Sequence, residues 1–134
     1  MITADIAFIL ICTILVSIIT PGLAFFYGGL LRRKNIISMF AMCFISIVLV
    51  GIIWVLLGYS LAFAPDLGYG LIDNFNYFGL ISVDAVTNPS YSTKIPPMLF
   101  MIFQLMLAAI TVAIISSPFV KRAKFISFII FIVL

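Results

Sequence analysis

The chain has 134 residues, of which 66% are hydrophobic and only 8% charged, and its formal net charge is +3. A water-soluble domain averages about 45–50% apolar and about 25% charged residues, so this chain lacks the polar side chains needed to cover a hydrated surface. The excess of cations does not point to nucleic acid, because Lys and Arg stand at the ends of apolar runs rather than on a face with base-reading side chains.

A helix that crosses the hydrocarbon core needs about 20 predominantly apolar residues. No charge occurs from Ile6 to Leu31, from Asn35 to Pro65, or from Ile95 to Val120. These stretches predict three complete transmembrane helices, over about 6–31, 36–64 and 96–119. A further apolar run, 125–134, follows the basic residues Lys121, Arg122 and Lys124. Its ten residues would rise about 15 Å as a helix, about half the thickness of the core, which predicts a truncated fourth span. The fold class is therefore all-α and integral to the membrane.

The first run begins MITADIAF, with an aspartate where a signal peptide would carry basic residues, and it is of full spanning length. It reads as an uncleaved span. Pro21-Gly22 is expected to interrupt it, and Gly28-Gly29 to let another helix approach its end closely. Phe25, Phe26 and Tyr27 between them suit an interfacial aromatic belt or, alternatively, the lining of a path.

Arg32, Arg33 and Lys34 separate the first two spans, and Lys121, Arg122 and Lys124 separate the last two. Asp5, Asp66, Asp73 and Asp84 fall on the other side with Lys94. Because short cytoplasmic loops retain Lys and Arg, both basic turns are expected in the cytoplasm and the N-terminus outside. Between the second and third spans, Pro65 to Pro96 is rich in turn formers, interleaved with Tyr69, Phe75, Tyr77, Phe78 and Tyr91. It predicts a loop folded back onto the membrane interface, with a short helical turn around Asn74 to Phe78.

The spans contain no charge, so chemistry must come from hydroxyls, aromatics and one amide. Gln104 stands mid-span on the face that runs Phe100, Phe103, Leu107, Ile110, Thr111 and Ile114 at helical spacing. This face could line a narrow pore with the amide where water enters, or Gln104 could hydrogen-bond a neighbouring helix. Cys12 and Cys43 lie in apolar runs without a metal-binding or redox spacing, and there is no histidine. No nucleophile with a base, carboxylate pair or phosphate-cradling loop points to an enzyme, a metal or a cofactor.

Three ordered strings, TPGLAFFYGGLLRRKNIISM (Thr20 to Met39), WVLLGYSLAF (Trp54 to Phe63) and IPPMLFMIFQLMLAAIT (Ile95 to Thr111), resemble the first three helices of the ammonium transporter, methylammonium permease and Rhesus family. A weaker likeness continues through KRAKFISFIIF. The resemblance implies the N-terminal part of a fold of about eleven spans with an outward N-terminus. It also implies a multi-pass protein of the cell membrane, in contact with the lipid bilayer, that moves ammonium, ammonia or methylammonium. Full-length members are homotrimers, each protomer having its own hydrophobic pore with a vestibule, a phenylalanine gate and twin histidines. Carried over by motif, Phe103 becomes a vestibule aromatic beside Gln104, Leu107 the gate position, and Leu23, Phe26, Tyr27 and Ile114 lower pore-lining positions.

The physical logic is that aromatic faces hold a cation while it loses water, each contact contributing about 0.5–2 kcal/mol. Beyond them a dry lining favours the neutral species, because a charge at the bilayer centre is expensive. The chain departs from the pattern at Leu107, where a phenylalanine is usual, and at Ser116-Ser117-Pro118 and Val120-Lys121-Arg122. It also stops before the family's aspartate and histidines. Transport by a chain incomplete on its own is therefore the first reading. The alternative is a truncated, non-transporting membrane protein that packs with full-length transporters or serves as a helical scaffold.

Overall fold

The computed structural model describes residues 2–63, 75–81, 83 and 95–134, with the side chains of Ile2, Phe75, Asn76 and Lys121 left out. Asp66, Asp73, Asp84, Lys94, Tyr69, Tyr91 and Asn74 lie outside the described residues. Helix α1 covers Ile2–Leu30 and α2 covers Arg33–Ile53. A π-helical turn, Trp54–Gly58, carries α2 directly into the short α3, Tyr59–Phe63. Helix α4 covers Pro97–Arg122 and α5 covers Phe125–Val133. Three helical stretches, Thr3–Leu30, Arg33–Phe63 and Pro97–Val120, are long and apolar enough to cross a membrane.

Pro21 does not interrupt α1, contrary to the expectation from sequence: the helix runs through it without a break. In lipid a broken helix exposes backbone groups that nothing solvates, so continuity with one missing bond is preferred over a loop. Thr13 Oγ1 donates to the Ile9 carbonyl at 2.7 Å and Ser17 Oγ to the Ile14 carbonyl at 2.7 Å, so these hydroxyls are also satisfied within α1.

Helices α1, α2 and α4 pack against one another in a three-membered bundle, and α5 lies against α2 and α4. Most large side chains face outward, Ile14, Ile18, Phe44 and Val48 among them, while small ones fill the contacts. This is the arrangement expected where lipid solvates apolar groups as well as protein does, so that helices associate through close fit.

At the end bearing the basic turns, Ala24, Met39, Cys43 and Ala113 form a buried cluster flanked by Leu23, Tyr27, Leu31, Phe40 and Val120. Cys43 Sγ meets Ser116 Oγ at 3.7 Å, and Ser116 Oγ donates to the Ala113 carbonyl at 2.6 Å. The adjacent glycines Gly28 and Gly29 of α1 part company here. A Cβ on Gly28 would stand 3.1 Å from Phe40 Cε2, whereas a Cβ on Gly29 meets no described atom within 4 Å. Gly28→Leu is therefore expected to destabilise the bundle by about 1–3 kcal/mol through overpacking. Gly29→Leu should stay within about 0.5 kcal/mol of the parent. Titrated unfolding in mixed micelles compares the two, and equal midpoints would show that the Phe40 contact does not hold the helices together.

At the opposite end Tyr59, Tyr77, Val83 and Met101 are buried together, with Trp54, Phe63 and Phe100 packed around them. The rings meet edge-on or tilted, with centroid distances of 6.4 Å for Trp54–Tyr59, 6.0 Å for Tyr59–Tyr77 and 5.2 Å for Phe63–Phe100. The segment Phe75–Leu80, whose backbone leaves helical geometry from Tyr77 to Gly79, brings Tyr77 in, and the Tyr77 backbone N–H donates to Ser60 Oγ at 3.2 Å. Of the helical turn expected around Asn74 to Phe78, Asn74 lies outside the described residues, and Tyr77 and Phe78 depart from helical geometry. What the interleaved aromatics did not reveal is that Tyr77 is a core residue at 4% exposure, while its neighbour Phe78 is half exposed. The π turn has a local cause as well: the Trp54 ring lies over Gly58, where a Cβ would be 3.0 Å from Trp54 Cε3.

A candidate permeation face on two helices

With 3.6 residues per turn, Phe103, Leu107, Ile110 and Ile114 fall on one side of α4. Met101, Ala109, Ala113 and Ser116 fall on the other, and all four are buried. The first side is the open one: Leu107 is 38% exposed and Ile114 47%, while Phe103 and Ile110 are half-buried at its edges. Gln104 is half-buried and sits about 100° round the helix from Phe103, between the open face and the bundle.

The one hydroxyl on this stretch does not make it polar. Thr111 Oγ1 donates to the Leu107 carbonyl at 3.0 Å, so its proton is used within the helix. The face therefore offers an aromatic ring at Phe103 followed by aliphatic side chains, with the Thr111 oxygen as the one side-chain acceptor beside them.

On α1, Thr13, Thr20, Ala24 and Gly28 form the buried side. Leu23 and Tyr27 flank it and pack against the cluster of Ala24, Met39, Cys43 and Ala113. Phe26, next in sequence to Tyr27, is turned outward at 62% exposure and touches the Tyr27 ring edge-on at 5.4 Å between centroids. Leu23 and Tyr27 thus reach the α4 side of the bundle, and Phe26 does not.

Tyr27 shares a cleft of about 420 Å³ with Leu30, Leu31, Ser117, Pro118 and Arg122. Ser117 and Pro118 follow Ile114 by three and four residues, so the open face of α4 leads into this cleft one turn later. Its polar groups are a phenol, a hydroxyl and a guanidinium, all at the basic end. Phe103 and Gln104 lie about 20 Å away along the axis of α4, towards the other end. The candidate residues therefore fall into an upper group on α4 alone, Phe103, Gln104 and Leu107, and a lower group shared by α1 and α4. Ser117 and Arg122 were not among the candidates read from the sequence, although continuing the Ile114 stripe by one turn reaches Ser117.

A sequence profile of the Ammonium Transporter Family matches residues 7–134. The chain is 45% identical over 130 residues to an ammonium transporter of Bacillus subtilis, an alignment covering 97% of this chain and 31% of that protein. It is 41% identical over 125 residues to the ammonium transporter Amt1 of Archaeoglobus fulgidus, covering 93% and 29% respectively. With an ammonium transporter of Aquifex aeolicus the identity is 39% over 134 residues, covering 98% and 31%. The chain thus spans about 30% of the length of these relatives.

Proposed function

The chain belongs to the Ammonium Transporter Family, and from that premise we propose that it supplies one wall of an ammonium-conducting path, closed by elements beyond its 134 residues. The observation that carries this reading is the open apolar face of α4, with Leu107 and Ile114 uncovered on the side away from the buried Met101, Ala109, Ala113 and Ser116. In this reading Phe103 and Gln104 form the vestibule side. Leu107 occupies the gate, and Ile114, Leu23, Phe26 and Tyr27 line the lower path. Phe26 joins the path only by meeting an element outside this chain, since it is turned away from Leu23 and Tyr27.

Ammonium approaches as a cation and is held at Phe103 by the ring face, where each such contact contributes about 0.5–2 kcal/mol. Between Leu107 and Ile114 the wall carries no charge and a single hydroxyl, that of Thr111, which donates to the Leu107 carbonyl, so neutral ammonia passes this stretch more readily than ammonium. The assembly in this reading is a homotrimer in the cell membrane.

The segregation of charge supports the orientation. Arg32, Arg33 and Lys34 lie at one end of the bundle with Arg122 and Lys124, and Asp5 lies at the far end of α1. The N-terminus faces outward in this arrangement. With Cys12 and Cys43 replaced by alanine, an impermeant thiol reagent added outside intact cells should label a cysteine at Thr3 and spare one at Asn35. The opposite pattern inverts the topology.

The functional test is methylammonium uptake by a chimera in which this chain replaces the matching segment of the Bacillus subtilis relative. Leu107→Phe should add an aromatic wall one turn from Phe103 and tighten apparent affinity by roughly two- to fivefold, the equivalent of about 0.5–1 kcal/mol. Unchanged affinity at normal surface abundance removes Leu107 from the path.

A further inference from the structure

We propose that the groove between the start of α2 and the α4–α5 turn seats one anionic phospholipid, with an acyl chain along the groove and the phosphate at its basic rim. The groove has a volume of about 370 Å³ and is lined by Ile37, Ser38, Ala41 and Met42 of α2, with Val120 and Phe125 among the residues opposite. Its walls are apolar except for the Ser38 hydroxyl, and Ile37 is 81% exposed along it. It lies on the α2 side of the α4–α5 turn and shares no lining residue with the Tyr27 cleft.

Charge identifies the occupant. Arg33 and Lys34 precede Ile37 and Ser38 by four residues, so they stand one turn further out on the same helical face, and both are exposed. Lys124 lies between the lining residues Ala123 and Phe125 and is exposed too. Among the described residues the only carboxylate is Asp5, which belongs to the first turn of α1, at its opposite end from this rim. Among the described residues, therefore, no acidic side chain stands beside these cations. Both α2 and α5 begin here without a side-chain cap, at Arg32 and Lys124, so first-turn amides add to the positive field.

An apolar groove that opens on a rim of lysine, arginine and a serine hydroxyl matches a molecule with a long acyl chain and a phosphate. A soluble phosphate would use only the rim, and a zwitterionic lipid would place its own cation among the lysines. Basic pockets between spans at the cytoplasmic side are sites of this chemical type.

The test is native mass spectrometry of the full chain titrated with phosphatidylglycerol or phosphatidylcholine of equal chain length. One phosphatidylglycerol should bind in preference to phosphatidylcholine. Neutralising both lysines, Lys34→Gln with Lys124→Gln, should weaken phosphatidylglycerol by about twenty-five-fold, at about fivefold for each lysine, and leave phosphatidylcholine unchanged. The charge-preserving pair Lys34→Arg with Lys124→Arg should retain binding. Ala41→Phe keeps every charge but fills the groove, and should weaken phosphatidylglycerol at least as much as the lysine pair. Equal affinity for the two lipids, full binding by Ala41→Phe, or displacement of the lipid by inorganic phosphate would each overturn the proposal.

Discussion

Leu107→Lys is expected to reduce methylammonium uptake by roughly two orders of magnitude per transporter at the surface. Leu107 lies four residues after Phe103 on the open side of α4, and the nearest hydroxyl, that of Thr111, is bonded back to the Leu107 carbonyl. A lysine ammonium there would have nothing nearby to neutralise it. Two like unit charges about 5 Å apart at an effective dielectric of about 20 repel by about 3 kcal/mol. If that repulsion appears in the barrier to entry, the rate falls roughly 200-fold. The substitution should also lower membrane insertion, since lysine near a span centre costs about 2.5–3.5 kcal/mol on insertion scales. Surface biotinylation separates the two effects. Near-normal uptake per surface molecule would mean that Leu107 faces lipid or another helix, and the path would have to be assigned to different residues.

The long helices were legible because in a bilayer the cost of charge dominates every other local preference. Runs without a charged residue from Ile6, Asn35 and Ile95 therefore coincide with helices whatever their internal sequence. Finer features depend on who packs against whom, which composition does not encode. Pro21 signals a break in water, yet α1 continues through it. Gly28 and Gly29 are chemically identical, but about 100° of helix rotation puts one against Phe40 and leaves the other open. The same rotation separates Tyr27 at the cluster from Phe26 facing outward. The π turn at Trp54–Gly58 was invisible because it depends on a tryptophan finding a glycine four residues on, a pairing with no distinct periodicity.

The candidate face was legible to the same partial degree. Spacing alone places Phe103, Leu107 and Ile114 on one side of α4, and that side is the one the bundle leaves uncovered. The residues that complete the lower end, Ser117 and Arg122, come into view only when α1 brings Tyr27 beside them. A stripe on one helix can be read from a string of letters. A cleft between two helices needs their relative rotation, and that is set by small buried contacts such as Ala24, Ala113 and Ser116.

Phe128→Ala is expected to detach α5 from the bundle and lower its stability by about 2–3 kcal/mol. Phe128 is fully buried, whereas Ile126, Ile130, Phe131 and Val133 on the same nine-residue helix are at least 48% exposed. Its ring packs against Phe119 of α4 at 5.6 Å between centroids, with an interplanar angle of 52°. In lipid the transfer contribution to burial is small, since an exposed phenyl ring remains in an apolar solvent, so the main loss is the cavity. A residual void of roughly 100 Å³ at about 24 cal/mol per Å³ gives about 2.4 kcal/mol. Phe131 also meets Phe119, at 5.1 Å, but is 48% exposed, so Phe131→Ala leaves no enclosed void and should cost less than about 1 kcal/mol. Hydrogen exchange of the α5 amides in detergent should rise steeply in the Phe128 variant and little in the Phe131 variant. Equal protection in the two variants would mean that α5 is held by its whole outer surface and not by one inserted ring.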